Sequence, residues 1–392
     1  MIETASKRLR RAAGGAAIAL ALGLPAPARA EGRPFVWKTA TQSPRPAAVD
    51  ARMAPLVKLC GGSDAALTEV ATRSARRQLD GSPLFGADEL AFNLRASGDP
   101  HVWPRAWSIA GEALEDDDIS SRIKAWIAPW KTLGARRCGV ARVSGAGGTT
   151  VITAVAVDAL ADIAPLPTTA RVGQWITLDG TMLVPATEAK VVLLGPRGAP
   201  KTVIASLAGS KIHSTFSVDQ PGPWMVQVLA TVATGPRPVL EAMVFAGAAP
   251  PAQFVPRPAP GESAAKGARD DDDGMLRMIN AARTTEQLLP LSRDGALDKL
   301  ARAHSEGMLR ARMVGHDVGG GDPAARIRAA GIKAHLAGEN VASAGSLEHA
   351  HRALWASPSH RGNLLLEKYT RVGVAVVRAP DGTVWVTEMF SG

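Results

Sequence analysis

One pattern constrains the fold of this chain before any motif is read. Residues 51–157 and the last third of the sequence repeat one another in the same order at a near-constant offset. Gly139-Val140-Ala141-Arg142-Val143 aligns without gaps with Gly373-Val374-Ala375-Val376-Val377, and Gly148, Thr149 and Thr153 then fall on Gly382, Thr383 and Thr387. Upstream, Asp64-Ala65-Ala66-Leu67 with Ala71 and Leu79 matches Asp294-Gly295-Ala296-Leu297 with Ala301 and Leu309. Leu94-Arg95-Ala96-Ser97-Gly98 parallels Ile327-Arg328-Ala329-Ala330-Gly331, and Trp126 parallels Trp355. Ordered self-similarity of this kind marks a duplicated unit. The competing reading is chance matching of helices rich in Ala, Gly and Arg.

Between the two copies the pattern changes. Over residues 165–247, runs such as Trp175-Ile176-Thr177-Leu178, Lys190 to Leu194 and Trp224 to Leu229 are β-rich and separated by Gly/Pro turns. Short strands with turn signals and no helical period predict a small antiparallel β-sandwich, immunoglobulin-like, serving as a spacer or adhesive module. Residues 248–272, rich in Pro, Ala and Gly and ending in four Asp, read as a semi-extended linker whose Asp run favours the dipole of the helix that follows. Residues 273–392 alternate helical and strand patterns. Leu276, Ile279, Leu297, Leu300, Ala301 and Met308 recur at helical intervals, and Val372–Val377 and Val384–Val386 read as strands.

At 392 residues the chain is long enough for two or three domains. Its N-terminus reads as a signal peptide: a basic region at Lys7, Arg8, Arg10 and Arg11, a short apolar run from Ala12 to Leu24, and the small-x-small site Ala28-Arg29-Ala30. Export then removes residues 1–30, residues 31–50 form a tether, and the destination is the periplasm or the extracellular space. The +9 formal charge is partly that of the basic leader and is otherwise spread along the chain. This is a solubility pattern, not a nucleic-acid footprint. The leader's apolar run, about 13 residues, is too short to span a bilayer, and no other long apolar stretch exists. Cys60 and Cys138 are the only cysteines. In an oxidising compartment such a pair ordinarily closes as a disulfide, two buried thiols being the other reading.

Six of the eight histidines lie between 304 and 360. Three segments stand out, each read as a loop: Met313-Val314-Gly315-His316-Asp317, Ala337-Gly338-Glu339-Asn340-Val341-Ala342, and Trp355-Ala356-Ser357-Pro358-Ser359-His360-Arg361-Gly362-Asn363-Leu364. Two imidazoles and a carboxylate match the three protein ligands of a catalytic-type zinc site. The order of these segments, with Leu276–Arg283, Asp294–Met308, Arg326–Gly331 and Gly373–Val377, resembles the CAP superfamily (cysteine-rich secretory proteins, antigen 5, pathogenesis-related 1) in its bacterial SCP-like branch, over residues 273–392.

The resemblance implies a three-layer α-β-α sandwich and a cleft lined by two His and two acids. By motif, His316 and His360 are the histidines and Glu339 is the first acid, with Asn340 beside it. The second acid of the family pattern has no counterpart in Ala356-Ser357-Pro358-Ser359. Residues 51–157 then read as a degenerate CAP-like α+β domain. No His matches His316, no Glu-Asn segment follows, and the interval from Trp126 to Gly139 is too short to hold a partner for His360. The fold expected overall is α+β and multidomain.

The remaining histidines have plainer readings: His304 as a packing residue, His349 and His351 as partly exposed positions on different helix faces, and His335 as a loop residue without a partner. His316, Glu339 and His360 form either a buried polar network or a functional cleft. The leading function is a non-enzymatic binding module for a lipid, glycan or protein. One alternative is a zinc-assisted hydrolase in which His316 and His360 ligate the metal and Glu339 is third ligand or base. Another is a structural envelope scaffold. A Ser–His pair at Ser357 or Ser359 lacks the Gly-x-Ser-x-Gly elbow.

Overall fold

The computed structural model describes residues 35–41 and 52–392; the leader reading lies outside them. Among the described residues no helix is long and apolar enough to cross a membrane. The N-terminal domain comprises α1 (Ala54–Cys60), α2 (Ala65–Leu79), α3 (Ala87–Ala96), β1 (Arg105–Gly111), α4 (Asp116–Ile127), β2 (Ala135–Ser144) and β3 (Thr150–Ala159). The central module holds β4 (Ala161–Ile163), β5 (Thr169–Ala170), β6 (Trp175–Met182), β7 (Glu188–Leu194), β8 (Lys201–Ile204), β9 (Ser206–Ala208), β10 (Lys211–Ser217), β11 (Gly222–Val232) and β12 (Gly235–Ala246). The C-terminal domain holds α5 (Asp271–Thr285), β13 (Ser292–Arg293), α6 (Gly295–Ala311), α7 (Pro323–Ala329), β14 (Ala337–Ala344), α8 (Leu347–Ala356), α9 (Pro358–Leu364), β15 (Arg371–Arg378) and β16 (Val384–Ser391).

The two outer domains have the same plan. The N-terminal sheet runs β1-β3-β2 and the C-terminal sheet β13-β15-β16-β14, so the long antiparallel strands share one order. Each sheet is covered on both faces. Residues of α1 and α4 pack on one side of the first sheet, and residues of α2 and α3 on the other. In the second, α5 and α8 cover one face and α6 and α7 the other. The helix that follows the first segment starts identically in both: Asp64 accepts from the amides of Ala66 and Leu67, and Asp294 from those of Ala296 and Leu297. Gly139 and Gly373 explain a further correspondence. A Cβ on Gly139 would stand 2.0 Å from the Thr68 amide nitrogen, and one on Gly373 2.2 Å from the Leu297 carbonyl carbon. In both domains the helix backbone lies directly on the strand, where only glycine fits.

The central strands form two sheets, β4-β6-β10-β9 and β5-β12-β11-β7-β8. They share one core around Leu178, Leu193, Phe216 and Trp224. Strict alternation of exposed and buried residues in β6 and β10 is what a strand with one wet face requires. No spacer separates this module from its neighbour, since β3 ends at Ala159 and β4 begins at Ala161.

Both expected linkers are corrected in part. In the tether, the Phe35 amide bonds Ala252 O, the Lys38 amide bonds Ala96 O, and Ala40 pairs with Leu166. The Trp37 ring packs edge-on against Phe92 and Phe245. In residues 248–272, Ala259 is buried, Glu262 pairs with Arg352 at 2.7 Å, and a short 3₁₀ turn at Glu262–Ala265 packs on α5. A composition rich in Pro, Ala and Gly hid the aromatic and ionic anchors that dock these segments. Asp270 does cap α5, accepting from the Asp273 amide, and the rest of the Asp run fills the first turn.

Cys60 and Cys138 form a disulfide that joins the end of α1 to β2. It spans 78 residues of chain, so reduction should cost the N-terminal domain on the order of 4 kcal/mol in the loop-entropy account. Calorimetry with and without reductant should show a lowered N-terminal transition and an unmoved C-terminal one. An unchanged thermogram would contradict this.

Candidate functional site

The site lies over β14, the edge strand of the C-terminal sheet. Successive strand residues face opposite ways, so Glu339 points toward α6 and α7 while Asn340 points toward α8 and α9. The Glu339 side chain is fully buried. Its Oε2 accepts from Arg326 Nη2 at 2.7 Å, and its Oε1 accepts from His316 Nδ1 at 2.9 Å. His304 Nε2 lies 3.7 Å from the same Oε1. Arg326 comes from α7, whose N-terminus is capped by Asp322, and it also donates to the carbonyls of His316 and Gly321. One guanidinium therefore fixes both the carboxylate and the loop that carries His316.

Hydrogen bonds set the tautomers. His316 donates from Nδ1, which leaves Nε2 as the open ring nitrogen on a side chain that is half exposed. His304 is buried and donates from Nε2 to Gly315 O at 2.9 Å. Burial lowers its pKa, so it is a neutral packing group.

His360 belongs to α9 and is partly buried. Burial, and secondarily the charge of His316, hold its pKa down at about 4, so the imidazole is neutral at physiological pH. Asn340 Nδ2 donates to His360 O at 3.1 Å and to Glu388 Oε2 at 2.9 Å. Asn363 Nδ2 donates to Asn340 Oδ1 at 2.9 Å and to Glu339 O at 3.1 Å. Two amides thus stitch the helix of His360 to the strand of Glu339. Gly338 is needed here as well, because a Cβ would sit 2.1 Å from the Tyr369 hydroxyl.

Sequence reasoning missed two residues. Arg326 was only part of a helix motif, and nothing in its spacing tells which acid it meets. Glu388 stands opposite Asn340 in the β14–β16 register and is fully buried. Its Oε1 has no hydrogen-bond partner among the described residues, and burial raises its pKa to about 8. A signal existed: Glu388 is in phase with Val386 and Phe390, a carboxylate in an apolar, inward-facing series. It lies on the sheet face opposite Glu339.

Two expectations are corrected. Only His316 sits in a loop; Glu339 lies in β14 and His360 in α9. His351 is not partly exposed but fully buried, bonding Pro260 O through Nε2 at 2.9 Å, because the docked 259–265 segment covers that helix face. His349 is exposed and reaches Asp88 at 3.0 Å. Ser357 and Ser359 face one another with hydroxyls 3.3 Å apart.

A divalent metal fits this arrangement poorly at Glu339. Both carboxylate oxygens are engaged, one by a guanidinium whose charge opposes a cation. Among the described residues no group of three or more His, Cys, Asp or Glu is placed to hold a metal ion. His316 and His360 alone would supply two nitrogens, one fewer than a catalytic-type zinc site takes from protein. At the corresponding register of the N-terminal sheet, Trp107 stands opposite Ala154 where the C-terminal sheet pairs Asn340 with Glu388. Trp107 packs there on Trp126, and Trp126 on Trp130.

Residues 276–390 match the model of the cysteine-rich secretory protein family, CAP. The C-terminal domain is a CAP domain. The chain is 33% identical over 120 residues to the uncharacterized protein YkwD of Bacillus subtilis (strain 168), covering 30% of this chain and 46% of that one. It thus spans about half the length of that curated relative. Among solved structures, an outer surface protein of Borrelia burgdorferi is 24% identical, covering 31% of this chain and 92% of its own, with a TM-score of 0.30. An extracellular SCP-domain protein of Bacillus anthracis str. Ames is 16% identical, covering 68% of this chain and 91% of its own, with a TM-score of 0.29.

Proposed function

We propose that this chain is an exported binding protein whose CAP domain holds a lipid, glycan or protein ligand at His316, Glu339, Asn340 and His360 without turning it over. The observation that carries this reading is the state of Glu339. A carboxylate that accepts on both oxygens, one of them from a guanidinium, is a weaker base and a poorer metal ligand than a free one, so Glu339 suits holding the site together better than taking a proton. What the site offers is a set of groups suited to hydrogen bonding: the open Nε2 of His316, the neutral imidazole of His360 and an ion pair beneath them. Met313 and Val314, exposed just before His316, add an apolar flank. Export is in keeping with the leader pattern, with the disulfide and with the surface or extracellular descriptions of two similar proteins.

The outer domains' shared strand order, Asp caps and strand glycines support reading residues 51–157 as a degenerate CAP-like copy. Tryptophans take the space of its site. The two-sheet central module supports an immunoglobulin-like reading.

Zinc titration of the full chain tests the site reading. Substoichiometric zinc is expected, with no difference between the native chain and His316→Ala or His360→Ala. One tightly bound zinc that either substitution removes would favour the hydrolase.

A further inference from the structure

The hairpin between β7 and β8, residues 195–200, touches the CAP domain at three points. Arg361 follows His360 in α9 and is buried. Its Nε donates to Trp355 O at 2.8 Å, its Nη1 donates to Gly195 O at 3.2 Å, and its guanidinium lies 4.3 Å from the centroid of the Trp355 ring. Glu286, just past α5, accepts from the Gly198 amide through Oε2 at 3.0 Å and is the acidic neighbour of the Arg361 charge. Gly362 faces Pro200, whose Cγ would stand 3.5 Å from a Cβ at that position. Two of these contacts reach the helix that carries His360, and the third reaches Glu286, the acidic neighbour of Arg361.

We infer that this hairpin belongs to the framework of the cleft, and that Arg361 and Glu286 are positioning residues which hold the His360 helix against the β-sandwich. A helix of seven residues has little stability of its own, so its place is set by what flanks it. Inward, Asn340 grips the His360 carbonyl. Outward, Gly195 supplies the only sandwich carbonyl bonded to Arg361 among the described residues. Withdrawing the hairpin would leave a buried guanidinium under-bonded, which is costly. The hairpin therefore braces the His360 helix from its outer side, and the sandwich is part of the support of the cleft.

This builds on the cleft reading but is tested apart from it, because the readout is the position of α9 and not the binding of any ligand. In the full chain at neutral pH, Glu286→Ala and Arg361→Lys should each shift the His360 ring resonances and speed amide exchange in α9 at least tenfold. The signals of His304 and His351 should stay in place. Arg361→Lys keeps the charge but cannot bridge both carbonyls. If it fails to fold, Glu286→Ala decides the matter. Unmoved His360 signals, or exchange quickened uniformly across the domain, would overturn the inference and leave Arg361 a plain stability residue.

Discussion

Arg326→Ala is expected to destabilise the CAP domain by about 3–5 kcal/mol, the range for removing one partner of a buried ion pair. Glu339 has no exposed side-chain surface, and Arg326 Nη2 is its 2.7 Å counter-charge. The loss is thus mainly the cost of a stranded carboxylate. The same guanidinium bonds the His316 carbonyl, so the His316 loop should loosen as well. Adding Glu339→Gln removes the stranded charge and should recover a good part of the loss, giving a coupling energy well above 1 kcal/mol in a denaturant-based double-mutant cycle. A single-mutant loss under 1 kcal/mol would mean that the pair is not buried as described.

Glu388 should impose a pH dependence of opposite sense to an ordinary salt-bridged acid. Its folded pKa is raised from 4.5 to about 8, chiefly by burial. Between those values the folded chain holds the proton more tightly than the unfolded chain. Stability should therefore be greatest in the acid part of this window, fall as pH rises toward 8 and level off above it. The full difference is on the order of 5 kcal/mol, since each tenfold gain in proton affinity is worth about 1.4 kcal/mol. His101 also loses its stabilising proton at high pH, its pKa being raised to about 9 by Asp99 and Asp162 against the opposing effect of burial. The comparison must therefore be between the native chain and Glu388→Gln, which keeps His101. The difference in unfolding free energy between the two should change sharply from pH 5 to pH 8. Parallel curves would place Glu388 in water.

The parts legible in the sequence were those with local periodicity or a fixed order of motifs. The helices of the CAP domain, the alternating strands of the central module and the spacing from His316 through Glu339 to His360 are of that kind. Contacts across long separations were not. Arg326 meets Glu339 because α7 lies over the edge strand, and no spacing encodes that crossing. An interval of two residues puts His351 on a different face from His349, but which face is buried depends on Pro260, in a segment whose composition reads as linker. Glu388 shows the reverse failure. Its phase with Val386 and Phe390 is visible in the sequence, but the family pattern points to the stretch after Trp355 for a second acid and not to the last strand.

The central claim, that His316 and His360 line one cleft that binds without turnover, is tested most directly by equilibrium binding. The full chain would be measured against phosphatidylglycerol vesicles, purified peptidoglycan and envelope protein fractions, beside His316→Ala and His360→Ala. Each probe would then be recovered and examined by mass spectrometry. The account predicts retention on one probe, loss of at least tenfold in affinity in both variants, and a recovered probe chemically unchanged. Equal retention by both variants, or a cleaved probe, would contradict it.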